Sequence, residues 1–283
     1  MSGLEDVIAR TRVPHSVDST ARDLAQLGVR PGMTLVVHAS LSRMGYVVGG
    51  AQAVVMALER VLGDGTLVMP AFTADLTDPA QWSEPPVPAE WHAFIREHMP
   101  AFEPGLTPTW QMGTIAECFR RQEGTLRSNH PFSSWAARGR YAARITADQS
   151  LAHSSGEGSP LARLYELDAR ILLLGVGHAN NSSLHLAESR NRFAPRKRCL
   201  RGYPAPRAGG GTEWREYEDI YLFEHDFETI GAAFEAQDPS VRLGSVGDAP
   251  SRLIRQRALV DFAVAWMNEN RSLPDAAGQG SVL

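Results

Sequence analysis

Lysine is almost absent from this chain: of the 28 basic residues only Lys197 is a lysine, and the rest are arginines. A Walker-type phosphate loop requires a lysine directly after its glycines, and a Schiff-base enzyme requires a lysine amine in a desolvated pocket. Lys197 lies within the charged run Arg196-Lys197-Arg198, which is a poor place to desolvate an amine. Both classes of enzyme are therefore excluded.

Cysteines and long apolar runs are also scarce. Two cysteines, Cys118 and Cys199, cannot make a disulfide framework, so we expect a reducing compartment. No apolar run approaches the roughly 20 residues of a membrane span, and the first residues lack the basic start and apolar stretch of a secretion signal. With 43% hydrophobic and 21% charged residues, the sequence predicts a cytoplasmic globular protein that does not bind membranes.

The apolar pattern alternates short strands with helices. Residues 34–39 and 66–69 are predicted strands, and residues 51–62 between them carry apolar side chains at helical spacing, which indicates a parallel βαβ unit. Residues 170–175 form the most apolar predicted strand, and a strand-to-helix turn follows over 176–188. The pattern therefore predicts an α/β fold with a mixed, largely parallel central sheet flanked by helices.

We interpret residues 1–270 as a single domain. It carries an insertion at about 73–110, where seven prolines and three tryptophans make regular sheet implausible. Residues 251–268 read as one long amphipathic helix, and residues 271–283 as a disordered tail.

Charge is unevenly distributed along the second half of the chain. Residues 187–210 hold seven basic residues and one acid, a balance of +6, whereas residues 212–238 hold nine acids and one arginine, a balance of −8. Such runs are usually solvated faces. They would also suit a polyanionic ligand beside the first run and a polycationic ligand beside the second. A nucleic-acid partner is not expected, because the formal net charge is −4.

Two motifs carry candidate chemistry. In the first, residues 38–50 end a buried strand in small polar residues, and two glycines open a helix. Backbone N–H groups at such a turn can hold an oxyanion or a phosphate. The residues alone would also fit a purely structural role, since a glycine turn can simply connect a strand to the next helix.

The second motif spans residues 175–188 and lacks the third glycine of a dinucleotide fingerprint. His185 and Glu188 lie three residues apart on one helical face, near a helix N-terminus whose dipole favours a neutral imidazole that can accept a proton. A core histidine bonded to backbone fits the pattern as well. A zinc site formed with His178 is not favoured, because no second ligand pair stands at the required spacing.

Taken in order, these segments resemble the aminoglycoside 3-N-acetyltransferase family over about residues 20–268. The matching pieces are V-H-A-S-L-S-x-x-G-x-V-x-G-G, G-T-L-V-M-P-A-F, R-S-N-H-P-F-S-S, S-P-L-A-R-L-Y-E-L-D, L-L-L-G-V-G-H-x-x-N-S-S-L-H-L-A-E, W-R-E-Y-E-D-I, H-D-F-E-T-I-G, L-G-S-V-G and R-L-I-R-Q-R-A-L-V-D-F-A.

The resemblance implies the antibiotic N-acetyltransferase fold, which differs from the small general N-acetyltransferase fold. It implies transfer of an acetyl group from acetyl-CoA to the 3-amino group of an aminoglycoside, which confers antibiotic resistance and needs no metal. Its catalytic histidine falls on His185. Its coenzyme A contacts fall on His38, Ser40, Leu41, Ser42, Val47, Val48, Gly49, Thr73 and Ser134.

The resemblance also implies an acidic partner for the histidine and carboxylates for the substrate. We take Glu218 as the partner that orients His185. The substrate-binding carboxylates are then Asp219, Glu224, Asp226 and Glu188. Relatives often carry aspartate six residues before the histidine, where this chain has Ala179, so another acid or another mode of substrate binding is expected here.

Four alternatives stay open at this stage. The chain could be an acyl-CoA N-acyltransferase for a different amine, a non-catalytic module that binds coenzyme A or a polycation, or a metal-dependent hydrolase. Acetyl transfer could also pass through Cys118 or Cys199 as a covalent intermediate. The sequence leaves the oligomeric state open between a monomer and a homodimer.

Overall fold

The computed structural model describes residues 3–83, 85–193 and 198–272. The strands are β1 (Thr34–Ala39), β2 (Thr66–Pro70), β3 (Leu126–Arg127), β4 (Trp135–Gly139), β5 (Arg170–Leu174), β6 (Arg198–Pro206), β7 (Thr212–Ile220), β8 (Arg242–Val246) and β9 (Ala249–Arg255). The helices are α1 (Leu4–Arg10), α2 (Val17–Leu27), α3 (Gly50–Leu62), α4 (His92–His98), α5 (Gly113–Arg120), α6 (Ala142–Thr146), α7 (Pro160–Glu166), α8 (Leu184–Arg190), α9 (Phe227–Gln237) and α10 (Gln256–Asn270). None of the helices within these ranges has the length and apolar composition that a membrane span requires.

Seven strands form the central sheet in the order β3-β4-β2-β1-β5-β9-β8. β1 pairs in parallel with both β2 and β5, while the pairings farther out on both sides are antiparallel. The predicted mixed α/β sheet flanked by helices is thereby confirmed, with its parallel strands at the centre. The carboxyl ends of β1, β2 and β5 therefore meet at one edge, where sheets of this kind bind ligands.

The central strands feed two cores because successive side chains point to opposite faces of a sheet. Leu35 and Val37 pack into the core that contains side chains of α2, α3 and α5. Val36, between them, packs into the core that contains side chains of α7 to α10. Both faces of the sheet are thus covered, which leaves its edges to hold a site.

The C-terminal region differs from the helix predicted over residues 251–268. Residues 249–255 form strand β9 between β5 and β8, and helix α10 begins only at Gln256. Leu253 enters one core and Ile254 the other, as a strand requires. The prediction was wrong because two arginines spaced three residues apart also fit a helix, and pairing with distant strands overrides local preference.

The insertion at 73–110 contains no strand in its described part. It consists of the short 3₁₀ turns Ala74–Leu76, Pro79–Gln81 and Ala89–Trp91, followed by α4. Trp110 N–H donates to the carbonyl of Phe72 at 2.8 Å, so the insertion returns to its own starting point beside the end of β2. The insertion therefore borders the edge of the sheet where the parallel strands end.

The basic and acidic runs of the sequence lie side by side in the hairpin formed by β6 and β7. Arg198 pairs with Glu218 at 3.0 Å and Arg201 with Asp219 at 3.4 Å. The two runs therefore partly neutralise each other, which corrects their interpretation as two separate ligand-binding faces. Residues 194–197 of the basic run lie outside the described residues.

Candidate active site

His185 occupies the first turn of α8, on the stretch of chain that follows the carboxyl end of β5. Its residue exposure is 9%, and its Nδ1 lies 2.8 Å from Oε2 of Glu188, one helical turn later. A carboxylate can only accept, so Nδ1 carries a hydrogen, and in the neutral form of the ring Nε2 holds the lone pair. The imidazole is packed against Phe227 with ring centroids 5.0 Å apart. His185 is therefore held in the tautomer of a proton acceptor.

The Glu188 carboxylate is saturated with donors although it is only 2% exposed. Its Oε1 accepts from Nη1 of Arg271 at 2.7 Å and from the backbone N–H of Phe223 at 2.9 Å. Its Oε2 accepts from His185. A buried charge is stable only when it is paired and hydrogen-bonded in this way.

The prediction that Glu218 orients His185 is wrong. Glu218 lies on the solvent side of β7, its side chain is 56% exposed, and its partner is Arg198. The position beside Nδ1 of His185 belongs to Glu188, which was predicted to bind the substrate. Alternation along β7 explains the difference, because it turns Glu218 outward and its neighbour Asp219 inward.

Of the other predicted substrate carboxylates, two are occupied by the protein itself. Asp219 is completely buried and accepts from N–H and Oγ of Ser154 at 3.1 and 2.7 Å. Asp226 forms a two-pronged pair with Arg271 at 2.7 and 2.5 Å. Both carboxylates are already hydrogen-bonded within the protein, and their role in binding the substrate stays a prediction. Glu224 is half-buried in the turn before α9, and its role stays a prediction.

The loop after β1 presents backbone donors at the ligand-binding edge of the sheet. The N–H of Ser40 is used by the carbonyl of Leu174 on β5 at 2.9 Å. Residues 41–44 then form a 3₁₀ turn, and the first amides of such a turn have no acceptor within it. The amides of Leu41 and Ser42 are therefore the donors available to an oxyanion, while the hydroxyls of Ser40 and Ser42 lie 3.2 Å apart.

The far end of this loop is tied to the N-terminal region. The N–H of Val48 donates to the carbonyl of His15 at 2.8 Å, and the Val47 side chain is only 6% exposed within the core. Gly49 caps α3 with φ of 85°, a conformation that L side chains rarely adopt. The Val47 side chain therefore anchors the loop, while Val47, Val48 and Gly49 all remain predicted contacts of the cofactor.

Thr73 and Ser134 are both completely buried. Oγ1 of Thr73 donates to the carbonyl of Pro131 at 2.5 Å, and Oγ of Ser134 donates to the carbonyl of Ala71 at 2.7 Å. These bonds join the chain after β2 to the loop at 127–134. The two hydroxyls thus fix the edge of the sheet, and binding of the cofactor by Thr73 and Ser134 stays a prediction.

Two buried histidines are strongly biased toward the neutral form. Burial lowers the pKa of His38 to about 3, and the nearby His185 adds to this effect. Burial likewise lowers the pKa of His130 to about 4, although a bond to the carbonyl of Leu151 opposes the change. His38 lies at the end of β1, and its Nε2 has no hydrogen-bond partner among the described residues. His38 is therefore a neutral imidazole near His185.

These pKa values predict how stability depends on pH. Between about pH 6.5 and about pH 3 the unfolded chain binds protons at His38 that the folded chain does not, so the free energy of unfolding should fall as pH falls. The loss should approach about 1.4 kcal/mol per pH unit for this site. Urea unfolding measured from pH 7 to pH 4 checks this, and His38→Gln should flatten the slope. The matched variant His98→Gln, at an exposed histidine, should leave the slope as it is; an equal flattening there would contradict the assignment.

A carboxylate that sequence analysis did not single out lies beside Ala179. Oε1 of Glu228 accepts from the N–H of Ala179 at 2.8 Å, and a Cβ on Gly177 would come within 2.1 Å of the same oxygen. Glu228 is exposed and directly follows Phe227, whose ring contacts His185. This chain therefore has an acid next to the position where the family resemblance led us to expect an aspartate.

His178 does not share ligands with His185. Its Nε2 lies 2.8 Å from Oε1 of Glu235, and its Nδ1 lies 3.4 Å from the amide nitrogen of Asn181. Within residues 3–83, 85–193 and 198–272, no three histidine, cysteine or acidic side chains converge as a metal site. His178 is buried and links the 3₁₀ turn His178–Asn180 to α9 through its contact with Glu235.

Arg271 is a buried partner of Glu188 that sequence analysis missed, because it falls at the start of the predicted disordered tail. The structure shows it 8% exposed and bonded to Glu188 and Asp226, so the ordered domain extends beyond residue 270. No short sequence pattern identifies Arg271 as a partner of these two acids, since they lie 83 and 45 residues before it. Residues 273–283 of the predicted tail lie outside the described residues.

The site thus combines a buried histidine held by a carboxylate with a loop whose first amides have no acceptor within their own turn. Residues 36–268 match the family model described as aminoglycoside 3-N-acetyltransferase. The chain is 36% identical to aminoglycoside N(3)-acetyltransferase VII of Streptomyces paromomycinus, with 93% of this chain and 95% of that one covered.

Solved structures of similar proteins point to the same family. The crystal structure of YokD from Bacillus subtilis superposes with a TM-score of 0.90 at 40% identity, covering 94% of this chain and 98% of that one. The structure of AAC-IIIb in a binary complex with CoASH superposes with a TM-score of 0.80 at 34% identity, covering 93% and 100%. The chain belongs to the aminoglycoside 3-N-acetyltransferase family. The predictions of its fold and of an acyltransferase enzyme are thereby confirmed.

Proposed function

We propose that this protein transfers the acetyl group of acetyl-CoA to the 3-amino group of an aminoglycoside, with His185 as the general base, and thereby confers resistance. The observation that carries the proposal is the bond from Nδ1 of His185 to Glu188, which leaves Nε2 free to accept a proton. Deprotonation is the step that an ammonium substrate needs, because only the neutral amine can attack a thioester. The predicted cytoplasmic location suits a reaction that consumes acetyl-CoA.

The loop at 38–50 supports binding of coenzyme A at the carboxyl edge of the sheet. It combines the amides of Leu41 and Ser42, the hydroxyls of Ser40 and Ser42, and the start of α3 at Gly50. Backbone amides and a helix N-terminus suit the diphosphate of such a cofactor. When bound, acetyl-CoA supplies an activated acetyl group.

An ammonium substrate first releases one proton to solvent, because only the neutral amine attacks the thioester. The neutral amine then gives up a second proton, which Nε2 of His185 takes as the nitrogen forms the C–N bond to the acetyl carbon. The amides of Leu41 and Ser42 donate to the carbonyl oxygen while negative charge develops on it, at about 3–4 kcal/mol per donor. The C–S bond then breaks, and the imidazolium returns its proton to the departing sulfur. Glu188 stabilises the imidazolium between these two events.

The antibiotic carries several ammonium groups, so the substrate side of the site should be acidic. Glu228 next to Ala179 and Glu224 in the turn before α9 have no ion pair to a described residue. They lie in the first turn of α9 and just before it, and this helix carries Phe227, the ring packed against His185. We propose that these two bind substrate ammonium groups. The acids of β7 contribute less, because arginines of β6 pair with them.

The experiment is release of free thiol from acetyl-CoA across a panel of aminoglycosides and simple amines. The expected result is many turnovers per enzyme with at least one aminoglycoside, and a product whose 3-nitrogen is acetylated by NMR. Turnover only with simple amines would replace the proposal with an acyltransferase for a different amine. Release of no more than one equivalent would indicate a binding module.

A further inference from the structure

Arg271 is a buried arginine that joins two carboxylates from different parts of the chain. It directly follows α10, and its side chain is 5% exposed. Its Nε and Nη2 grip Asp226 at 2.7 and 2.5 Å, and its Nη1 donates to Glu188 at 2.7 Å. Nη2 also donates to the carbonyl of Phe223 at 2.8 Å. The planar guanidinium is suited to such a bridge because its donors point in fixed directions.

The bridge ends at the proton acceptor. Arg271 holds Oε1 of Glu188, and the other oxygen of the same carboxylate holds Nδ1 of His185. Three protein segments therefore meet at Glu188: the turn before α9, the end of α10 and α8 itself. The backbone N–H of Phe223 is the third donor to the Glu188 carboxylate, and it comes from the turn before α9.

The charges of this cluster explain why the arginine is needed. With His185 neutral, Arg271, Glu188 and Asp226 sum to one negative charge, and protonation of His185 brings the sum to zero. Without Arg271 two carboxylates would share a buried site, and like charges there favour uptake of a proton. A protonated Glu188 could donate to Nδ1, which would put the ring hydrogen on Nε2 and remove the acceptor.

We propose that Arg271 is a positioning residue for acetyl transfer: it keeps Glu188 a fixed carboxylate, so that Nε2 of His185 faces the amine as the acceptor. The inference rests on the proposed role of His185 as base. Arg271 acts through Glu188 and is not itself a catalytic group. Burial alone would lower the pKa of Arg271, but its bonds to Asp226 and Glu188 raise it above the usual value, so the guanidinium stays charged.

The charged groups linked to His185 define how its titration should respond. Glu188 on the same helix binds Nδ1 of His185, and His38 on β1 lies nearby. Arg271 at the end of α10 binds Glu188, and Asp226 in the turn before α9 binds Arg271. Removal of the arginine cation makes the cluster more negative, so the ring should hold its proton to higher pH. Removal of the Asp226 charge makes the cluster less negative, so the ring should lose its proton at lower pH.

The test is a pair of charge-changing variants with opposite expected signs. Arg271→Met should move the acidic limb of the kcat profile up by about one pH unit and lower kcat at pH 7 about tenfold or more. The KM for acetyl-CoA should change less than about twofold, because the loop at 38–50 is untouched. Arg271→Lys should recover part of the rate. Asp226→Asn should move the acidic limb of the kcat profile to lower pH.

NMR titration of the His185 ring measures the same shifts without reference to activity. The matched control is Arg255→Met, at the other end of α10, where the arginine forms an exposed pair with Asp168; it should leave the profile unchanged. If Arg271→Met fails to fold, the inference is tested by Asp226→Asn alone, in which the His185 ring should titrate at lower pH. Lost activity with an unmoved His185 titration in both variants would reduce Arg271 to a structural residue and overturn the inference.

The same measurements separate this inference from the proposed function. Opposite shifts of the His185 titration in a protein that does not acetylate aminoglycosides would support the arginine bridge and reject the function. Acetylation that depends on His185 but has the same pH profile in all these variants would support the function and reject the bridge.

Discussion

Replacement of His185 by alanine should lower kcat for acetyl transfer by about 10²–10⁴-fold, the usual contribution of a positioned general base. The loss follows from geometry, because His185 is the ring whose Nδ1 is held by Glu188 and whose Nε2 is left to accept a proton. Thiol release at saturating acetyl-CoA and aminoglycoside measures it. Affinity for coenzyme A, measured by calorimetry, should stay within about twofold, since the loop at 38–50 is unchanged.

The control for this prediction is the double variant Cys118→Ser, Cys199→Ser. Both thiols are free and half-buried, and burial raises the pKa of Cys199, which makes it a poorer nucleophile at neutral pH. The double variant should therefore acetylate at nearly the native rate. An inactive double variant together with an active His185→Ala protein would establish a covalent route and exclude the direct one.

Replacement of Glu188 by glutamine should be nearly as damaging and should also destabilise the protein. A glutamine offers one acceptor and one donor group where the structure needs acceptors toward His185, Arg271 and the N–H of Phe223. Either the ring switches its hydrogen to Nε2 or the arginine loses its partner. We expect kcat to fall by about 10²-fold or more and the free energy of unfolding by about 3–5 kcal/mol.

Glu218→Gln is the matched control, since it makes the same chemical change on the exposed face of β7. Its stability should change by less than about 0.5 kcal/mol and its activity hardly at all. Urea unfolding and thiol release on both variants check the pair. A severe loss in Glu218→Gln with a mild one in Glu188→Gln would restore the sequence-based assignment and reject the structural one.

Sequence patterns were sufficient where the information is local. The βαβ unit, the apolar strand before the second motif and the spacing of His185 and Glu188 on one helical face were all predicted from short windows. The partner of His185 was nevertheless assigned to Glu218, because neighbours along β7 differ in orientation and only the sheet geometry shows which side faces inward.

The remaining errors concern contacts between distant segments. Strand β9 was predicted as helix because its pairing with β5, more than 70 residues earlier, is invisible in a local window. The same reason hid Arg271, whose partners lie 83 and 45 residues before it. The two charge runs were read as separate surfaces because no sequence pattern showed that β6 and β7 form one hairpin.

The position of Arg271 at the end of α10 has a consequence for the protein during its synthesis. The loop at 38–50 and the His185 turn leave the ribosome long before the residue that bridges Glu188 to Asp226. A nascent chain can therefore pair β1, β2, β4 and β5 before Glu188 acquires its bond to Arg271. The proposed acetyl transfer should therefore begin only when α10 has docked, so products of premature termination before residue 271 should be folded in part and inactive.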